Sequence, residues 1–458
     1  MMRLWDFLKE NMMNHPNQLI CENDASLTFE EMVIWAESFA EKIKGKKCCA
    51  ILCHSEMAAS MALLACFAAE VTAIPLSMRY GAIHCNKILD AISPDGIIMD
   101  DGDGLNVLTI SDSTYVIPET PPALMMCTSG TTGKPKGVML SECNIMTNVE
   151  DIAEYFHIDT SDTILIARPL YHCAVLTGEF LTSLVKGCKI RFYSERFNPS
   201  KILGLIRTYH VTVFCSTPTL MGLLSKLIKK RHTNSLKHIC ISGECMDTET
   251  ALRIADAFPN SKIYHVYGLT EACPRVSYLP PELFRLYPDC VGYPLRSADV
   301  MILDLNGRGC RPGEPGILWI KGDNVMIGYY NDPELTAVTL RDGWLYTGDI
   351  AVITPDGLLK IMGRYDDLII KAGMNIYPAE VEKAIRQDPR TREVLVYGYR
   401  DDRGVQIGMK IVGNFASVED IHSLCARLLP DFQRPNRIEV VPELPKNGSG
   451  KIIRKNYD

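Results

Sequence analysis

Leu124-Met125-Met126-Cys127-Thr128-Ser129-Gly130-Thr131-Thr132-Gly133-Lys134-Pro135-Lys136-Gly137 is the stretch on which the reading of this chain turns. Leu124–Cys127 is a short apolar run that reads as a buried strand. It feeds directly into hydroxyl residues, three glycines and two lysines. Glycine permits positive φ and close backbone approach, so successive N–H groups can converge on one anion. The hydroxyls of Thr128, Ser129, Thr131 and Thr132 add donors, and Lys134 and Lys136 add positive charge. This is chemistry for gripping a polyphosphate. It is not the Walker pattern, because no glycine stands five residues before a Gly-Lys-Ser/Thr.

Outward from this stretch, helical and strand patterns alternate. Phe29–Ile43 has helical spacing, Cys49–Cys53 is an apolar run, and a Met57–Ala69 helix feeds a Val71–Leu76 strand. A helix around His84–Ile92 and a strand at Gly96–Met99 follow, then strands at Ile164–Ala167, Lys189–Phe192, Val211–Cys215, His238–Ser242 and Lys262–Tyr267. Such alternation predicts an α/β fold of mostly parallel sheet covered by helices on both faces. The phosphate-type loop then sits at a strand's C-terminal end, the edge where open α/β sheets bind ligands. From about 290 to 362 the texture becomes strands and tight turns, a β-rich subdomain of a domain spanning 1–362. A short polar joint at 363–366 precedes a small α+β C-terminal domain at 367–458, whose first helix opens at Pro378-Ala379-Glu380.

At 458 residues the chain exceeds one compact core. Its formal net charge of −7 argues against a nucleic-acid-coating role, so an anionic ligand needs a local basic site. The seventeen cysteines are scattered without a Cys-x-x-Cys, which fits a reducing cytoplasm. Cys48, Cys49, Cys53 and His54 form the one dense group, and they lack paired zinc-ligand spacing and read as structural. The longest apolar stretch, Met57 to Ala69, is too short to span a bilayer. No membrane insertion is expected.

Four further segments carry chemistry. Tyr267-Gly268-Leu269-Thr270-Glu271 offers a flat ring for a purine and a carboxylate for Mg²⁺, although a core tyrosine followed by a turn reads equally well. Trp344-Leu345-Tyr346-Thr347-Gly348-Asp349 ends in a carboxylate able to accept two ribose hydroxyls, or in a plain turn aspartate. Gly363-Arg364-Tyr365-Asp366-Asp367, followed by Lys371 to Pro378, is a charged joint. Pro445-Lys446-Asn447-Gly448-Ser449-Gly450-Lys451 sets one lysine behind a Gly/Ser turn.

With these five segments in this order, the chain resembles the ANL superfamily of adenylate-forming enzymes: acyl- and aryl-CoA synthetases, adenylation domains and luciferases. The resemblance runs from about Phe7 to Lys455. It implies an AMP-forming acid–thiol ligase using ATP, Mg²⁺ and coenzyme A. The acid reacts with ATP to give acyl-AMP and pyrophosphate, and the acyl group then passes to a pantetheine thiol. By the same resemblance, Thr128 with Ser129, Gly130, Thr131, Thr132, Gly133, Lys134 and Lys136 clasps the β/γ-phosphates, and Glu271 holds Mg²⁺ beside Thr270. Tyr267 and Gly268 meet adenine, flanked by Gly243, Glu244 and Cys245, while Asp349 takes the ribose with Arg364 nearby. Lys451 bridges the attacking carboxylate and the α-phosphate. Asp366 matches the hinge about which a mobile C-terminal domain turns to bring Gly373 to the thiol.

His172, in Pro169-Leu170-Tyr171-His172, matches a histidine beside the acyl site; a satisfied buried histidine is the other reading. Amino-acid-activating members carry an aspartate there, so its absence disfavours an amino acid. Gly268 stands where acetate-specific members have tryptophan, so the acyl pocket is expected to be open to a medium-chain fatty or aryl acid. Ala372 and Asn375 depart from the CoA-facing pattern and keep two acceptors in play, CoA and an acyl carrier protein. A homodimer is a further implied partner, and a catalytically inactive acyl-nucleotide-binding module is the rival from another class. Lys451→Ala is expected to abolish acid-dependent pyrophosphate exchange, a loss of about 3 kcal/mol or more of transition-state stabilisation. Thioester formation from supplied acyl-AMP should persist, and loss of both half-reactions would contradict this division of labour.

Overall fold

The computed structural model describes residues 2–78, 81–101, 104–129, 135–195, 197–228, 235–371, 374–402, 404–445 and 452. The chain divides into two compact units, Met1–Val300 with Trp319–Tyr346, and Met301–Leu318 with Thr347–Asp458. The stretch from 290 to 362 contributes strands to both, since Ala298–Leu303, Gly316–Gly322 and Trp344–Ile353 each begin in one unit and end in the other.

The first unit is built on two sheets. The nine-stranded sheet runs Tyr293–Pro294, Arg275–Leu279, Lys262–Gly268, His238–Ile241, Val213–Ser216, Thr163–Ile166, Lys189–Phe192, Leu19–Glu22, Ala25–Thr28. Its six inner strands, from Lys262–Gly268 to Leu19–Glu22, are mutually parallel, and antiparallel strands close both ends. The seven-stranded sheet runs Gly328–Tyr329, Pro135–Leu140, Leu124–Ser129, Thr72–Pro75, Cys48–Leu52, Gly96–Asp100, Leu105–Thr109. Every residue of Cys48–Leu52 and Thr72–Pro75 is buried, as expected of central strands covered on both faces. The expected α/β architecture of helix-covered, mostly parallel sheets is what the chain adopts.

The helices start where local chemistry dictates. Thr28 and Glu31 form a capping box before Phe29–Ile43, and Ser141 and Asn144 form another before Glu142–Tyr155. The helix Glu56–Ala68 is capped by Ser55, while Glu22 accepts from the Glu56 and Met57 N–H groups. Cys48 and Cys49 lie inside a fully buried strand, and burial pushes the Cys48 thiol upward, away from the thiolate a metal needs. His54 is paired with Asp100, Nδ1 to Oδ1 at 2.9 Å. Among the described residues, no helix is long and apolar enough to cross a membrane.

The second unit has its own core. Ile369, Ile376, Val381, Ile385, Val394, Val396, Ile407 and Met409 pack between a three-stranded sheet, Thr391–Asp401, Gly404–Gly413 and Arg437–Val440, and the helices Pro378–Arg386 and Val418–Leu428. The helix read from Pro378 begins at that residue.

Four parallel strands, Thr163–Ile166, Val213–Ser216, His238–Ile241 and Lys262–Gly268, put their C-terminal ends on one edge. The segments 169–172, 243–245 and 267–271 all follow such ends, so parallel pairing gathers them. His265 lies on the last of these strands, 2% exposed, and burial drives its pKa down to about 4. The bond to the Cys290 backbone and the charge of Asp289 oppose that shift. The native ring stays neutral while the unfolded ring takes a proton near pH 6.5, so its stabilising share is complete above 6.5 and is lost as pH falls toward 4. Urea unfolding should show that the stability gap between wild type and His265→Leu moves by up to about 3 kcal/mol against wild type between pH 6.5 and 4. A gap that stays constant with pH would contradict this.

Candidate active site

The two flanks of the phosphate-type stretch pair as antiparallel strands. Leu124–Ser129 pairs with Pro135–Leu140, with Cys127 opposite Gly137, Thr128 opposite Lys136 and Ser129 opposite Pro135. Gly130, Thr131, Thr132, Gly133 and Lys134 lie outside the described residues. Glycine at 137 lets neighbouring side chains pack close, since a Cβ there would stand 2.8 Å from the Met125 sulfur and 3.2 Å from the Tyr330 Cβ, and both would have to shift. Gly328–Tyr329 pairs with the outer strand of the hairpin, Tyr329 opposite Val138.

Tyr329 links the hairpin to the carboxylate. The Lys136 Nζ sits 5.4 Å from its ring centroid, on the ring face. Its phenol donates to Glu271 Oε1 at 2.9 Å. Glu271 itself lies in a single 3₁₀ turn, Thr270–Ala272, and its carbonyl accepts from Met326 N at 2.9 Å. Asn324, fully buried, donates to the carbonyls of Ala272 and Arg275 at 3.1 and 2.9 Å. Asn148, also fully buried, binds the Arg275 backbone at both its N–H and its carbonyl. The segment 324–329 thus straps the turn at several points.

Among the described residues, no three His, Cys, Asp or Glu side chains gather around a metal position. Mg²⁺ is held through one or two carboxylates together with substrate phosphates, not by an all-protein cage. A single hard carboxylate facing a lysine-bearing phosphate hairpin is the donor set that Mg-ATP needs. Glu271 fits.

On the neighbouring strand ends, Tyr267 is half-buried and sits at a bulge between Tyr267 and Gly268. A Cβ on Gly268 would lie 1.9 Å from the Pro274 carbonyl oxygen, so the backbone itself excludes any side chain there. Gly243 has φ +94° and Cys245 is exposed. Glu244 Oε2 accepts from Thr219, at N (3.2 Å) and Oγ1 (2.5 Å), in the first turn of the helix Pro218–Leu227.

His172 is half-buried, immediately before the short helix Cys173–Val175, and its ring centroid is 4.2 Å from that of Tyr171. Glu56 accepts from Leu170 N at 3.0 Å and fixes the approach to it. A π-helical turn, Leu176–Leu181, follows. Within it Glu179 is fully buried and pairs with Arg168 at 2.6 Å. Burial raises the Glu179 pKa, and Arg168 opposes the shift. The Arg275 guanidinium packs against Gly178, with a nitrogen 2.6 Å from where a Cβ would be.

In the second unit, Asp349 is buried and sits directly opposite Arg364, Oδ1 to Nη1 at 3.1 Å. Asp349 N donates to Thr347 Oγ1, whose hydroxyl donates to Leu318 O. Asp366 lies exposed in a 3₁₀ turn, Tyr365–Asp367. Gly373 and Lys451 lie outside the described residues. Ile452, next to Lys451, packs on Leu395, Val412 and Leu444.

Tyr329, Asn324, Asn148, Arg168, Glu179 and Arg275 were missed in the sequence. Glu179 did carry a signal, as the one charge in the apolar run from Cys173 to Val185.

The AMP-binding enzyme family matches residues 8–330, and the AMP-binding enzyme C-terminal domain matches residues 380–451. Feruloyl-CoA synthase of an Amycolatopsis species is 32% identical over 337 residues, 72% of this chain and 68% of that protein. The long-chain-fatty-acid–CoA ligase of Bacillus subtilis (strain 168) is 33% identical over 346 residues, 74% of this chain and 61% of that protein. O-succinylbenzoate coenzyme A synthetase of Bacillus subtilis, solved with AMP, superimposes with a TM-score of 0.86 at 27% identity, covering 98% of this chain and 97% of that one. The same enzyme solved with ATP and a magnesium ion gives 0.85, also at 27% identity, over 98% of both chains. The chain belongs to the AMP-binding enzyme family and is an adenylate-forming enzyme of the ANL superfamily.

Proposed function

We propose that this protein is an ATP-dependent carboxylate–CoA ligase. It joins a small-molecule carboxylic acid to the thiol of coenzyme A through an acyl-AMP intermediate. The observation that carries the reading is the connected set Lys136, Tyr329 and Glu271, which ties a phosphate-gripping hairpin to a lone carboxylate. An acid–CoA ligase needs both. The named activities of similar proteins, feruloyl-CoA synthase and long-chain-fatty-acid–CoA ligase, support the acceptor and the reaction class.

The acid's carboxylate oxygen attacks the α-phosphate of ATP, the α–β bridge breaks, and pyrophosphate leaves. Two anions must meet, so oriented positive charge and donors decide the rate. Lys136 and Thr128, with Ser129, Gly130, Thr131, Thr132, Gly133 and Lys134, hold the β- and γ-phosphates. Glu271 would hold Mg²⁺, which when bound supplies charge neutralisation on the phosphates. Tyr267 stacks on adenine beside Gly243–Cys245, and Asp349, oriented by Arg364, takes the ribose hydroxyls. Lys451 bridges carboxylate and α-phosphate. The CoA thiolate then attacks the acyl carbonyl, AMP leaves, and the thioester forms near Gly373 after a turn about Asp366. His172 borders the acyl group.

The acid is a medium-chain fatty or aryl acid; feruloyl-CoA synthase supports the aryl choice and the long-chain-fatty-acid–CoA ligase a fatty acid, without setting its length. Gly268 adds less to this choice than its sequence position suggests. The Pro274 carbonyl already fills the space of its Cβ, so glycine there answers a backbone requirement. The free state of all seventeen cysteines supports a cytoplasmic location. A carrier-protein thiol as acceptor and a homodimer are the further partners of this reading.

Acid-dependent exchange of labelled pyrophosphate into ATP, run with medium-chain, long-chain and aryl acids, tests it. At least one acid should support exchange and then yield a CoA thioester. ATP binding without exchange for any acid would point to an inactive nucleotide-binding module. Gly268→Ala should lower stability by about 2 kcal/mol or more and depress activity toward every acid alike, because the added methyl meets backbone. A stable variant that merely shifts preference toward acetate would restore Gly268 as a selectivity position.

A further inference from the structure

We propose that Tyr329 is a positioning residue for Glu271, fixing the carboxylate so that Oε2 faces the metal of Mg-ATP; this rests on the reading of Glu271 as the metal-holding carboxylate. Three observations carry the assignment. The phenol donates to Glu271 Oε1 at 2.9 Å, and Tyr329 is only 6% exposed, so little water competes for that bond. The tyrosine's own backbone is fixed by pairing with Val138, by Tyr329 N donating to Thr336 Oγ1 at 2.9 Å, and by Tyr330 N donating to Gly137 O at 2.8 Å. Its ring carries the Lys136 ammonium on one face.

These contacts join two sheets. Tyr329 belongs to the strand beside the phosphate hairpin, and Glu271 follows a strand of the nine-stranded sheet. A glutamate side chain has three rotatable bonds, and a carboxylate free to turn presents either oxygen. Holding Oε1 with a neutral donor leaves the charge undiminished while removing that rotation. The carboxylate orientation is therefore set by the tyrosine before nucleotide arrives, with the Lys136 ammonium held loosely over the same ring.

Tyr329→Phe keeps the ring and removes the donor. Mn²⁺ binding to the full-length enzyme, followed by the electron paramagnetic resonance of free Mn²⁺ with α,β-methylene-ATP present, should weaken about tenfold, the size of one buried hydrogen bond. Affinity for the analogue without metal, measured by calorimetry, should be unchanged, while the melting temperature should fall only by the few degrees that loss of one hydrogen bond brings. Glu271→Gln separates the two layers. If it abolishes Mn²⁺ binding while Tyr329→Phe binds like wild type, the positioning role is wrong and the metal role stands. If it leaves Mn²⁺ binding intact, both fall. Equal loss of metal-free and metal-dependent affinity in Tyr329→Phe would reveal a purely structural hydroxyl and overturn the proposal.

Discussion

The antiparallel pairing of Leu124–Ser129 with Pro135–Leu140 is the constraint on which the site depends. The strands on the other side of Leu124–Ser129, Thr72–Pro75, Cys48–Leu52 and Gly96–Asp100, are parallel to one another, and a parallel strand must leave the sheet through a long crossover. A hairpin instead returns the chain at once, which puts Lys136 directly across from Thr128. The returning strand offers a fresh edge, and Gly328–Tyr329 fills it. Tyr329 then reaches Glu271. One reversal of strand direction thus brings a hydroxyl, an ammonium and a carboxylate within a few side-chain lengths, although their residues span two hundred positions of sequence.

The parallel strands were legible because burial on both faces selects continuous apolar runs. Cys48–Leu52 and His238–Ile241 are buried at every position, and each matches a run read from sequence to within two residues. Pro135–Leu140 was not legible as a strand, for it opens with Pro-Lys-Gly, residues depleted in sheets. Its pairing comes from the neighbouring strand and from the missing Cβ at Gly137, which admits Met125 and Tyr330. Propensity loses to context there.

Chemistry dense in one stretch can be read as a candidate site, and chemistry carried by single residues cannot. Residues that touch a polyphosphate cluster in a loop, and such a cluster can be read in order. Tyr329, Asn324 and Asn148 act through one or two hydrogen bonds each, from elements far apart in sequence. A buried asparagine announces itself only by the backbone groups it satisfies, here Ala272 in the Glu271 turn and Arg275 at the start of the strand that follows. Gly268 shows the opposite hazard. Its place in a motif invited a reading about substrate size, while the Pro274 carbonyl 1.9 Å from its absent Cβ supplies a sufficient reason within the backbone.

Beneath these loops lies a buried charge cluster that gives them a common root. Arg168 stands four residues before His172, and Arg275 four residues after Glu271. Glu179 pairs with Arg168 at 2.6 Å and also lies within the field of Arg275. One carboxylate serves two guanidinium groups, while the Tyr155 phenol, pushed up by burial, and the Cys215 thiol, pushed up by its bond to Cys240 and by burial, stay neutral beside them. Cys240 is held below the usual thiol range by its bond to Cys215 and by the two arginines, against the effect of burial. Desolvating such charges is expensive, and a hydrophobic core of equal volume would often be as stable. What the cluster gains is direction, because a guanidinium satisfied only in one place fixes the backbone that bears it. The loop ending in His172 and the turn bearing Glu271 are both tethered to the same π-helical segment, the first through Arg168 to Glu179 and the second through the Cys273 carbonyl to Thr177.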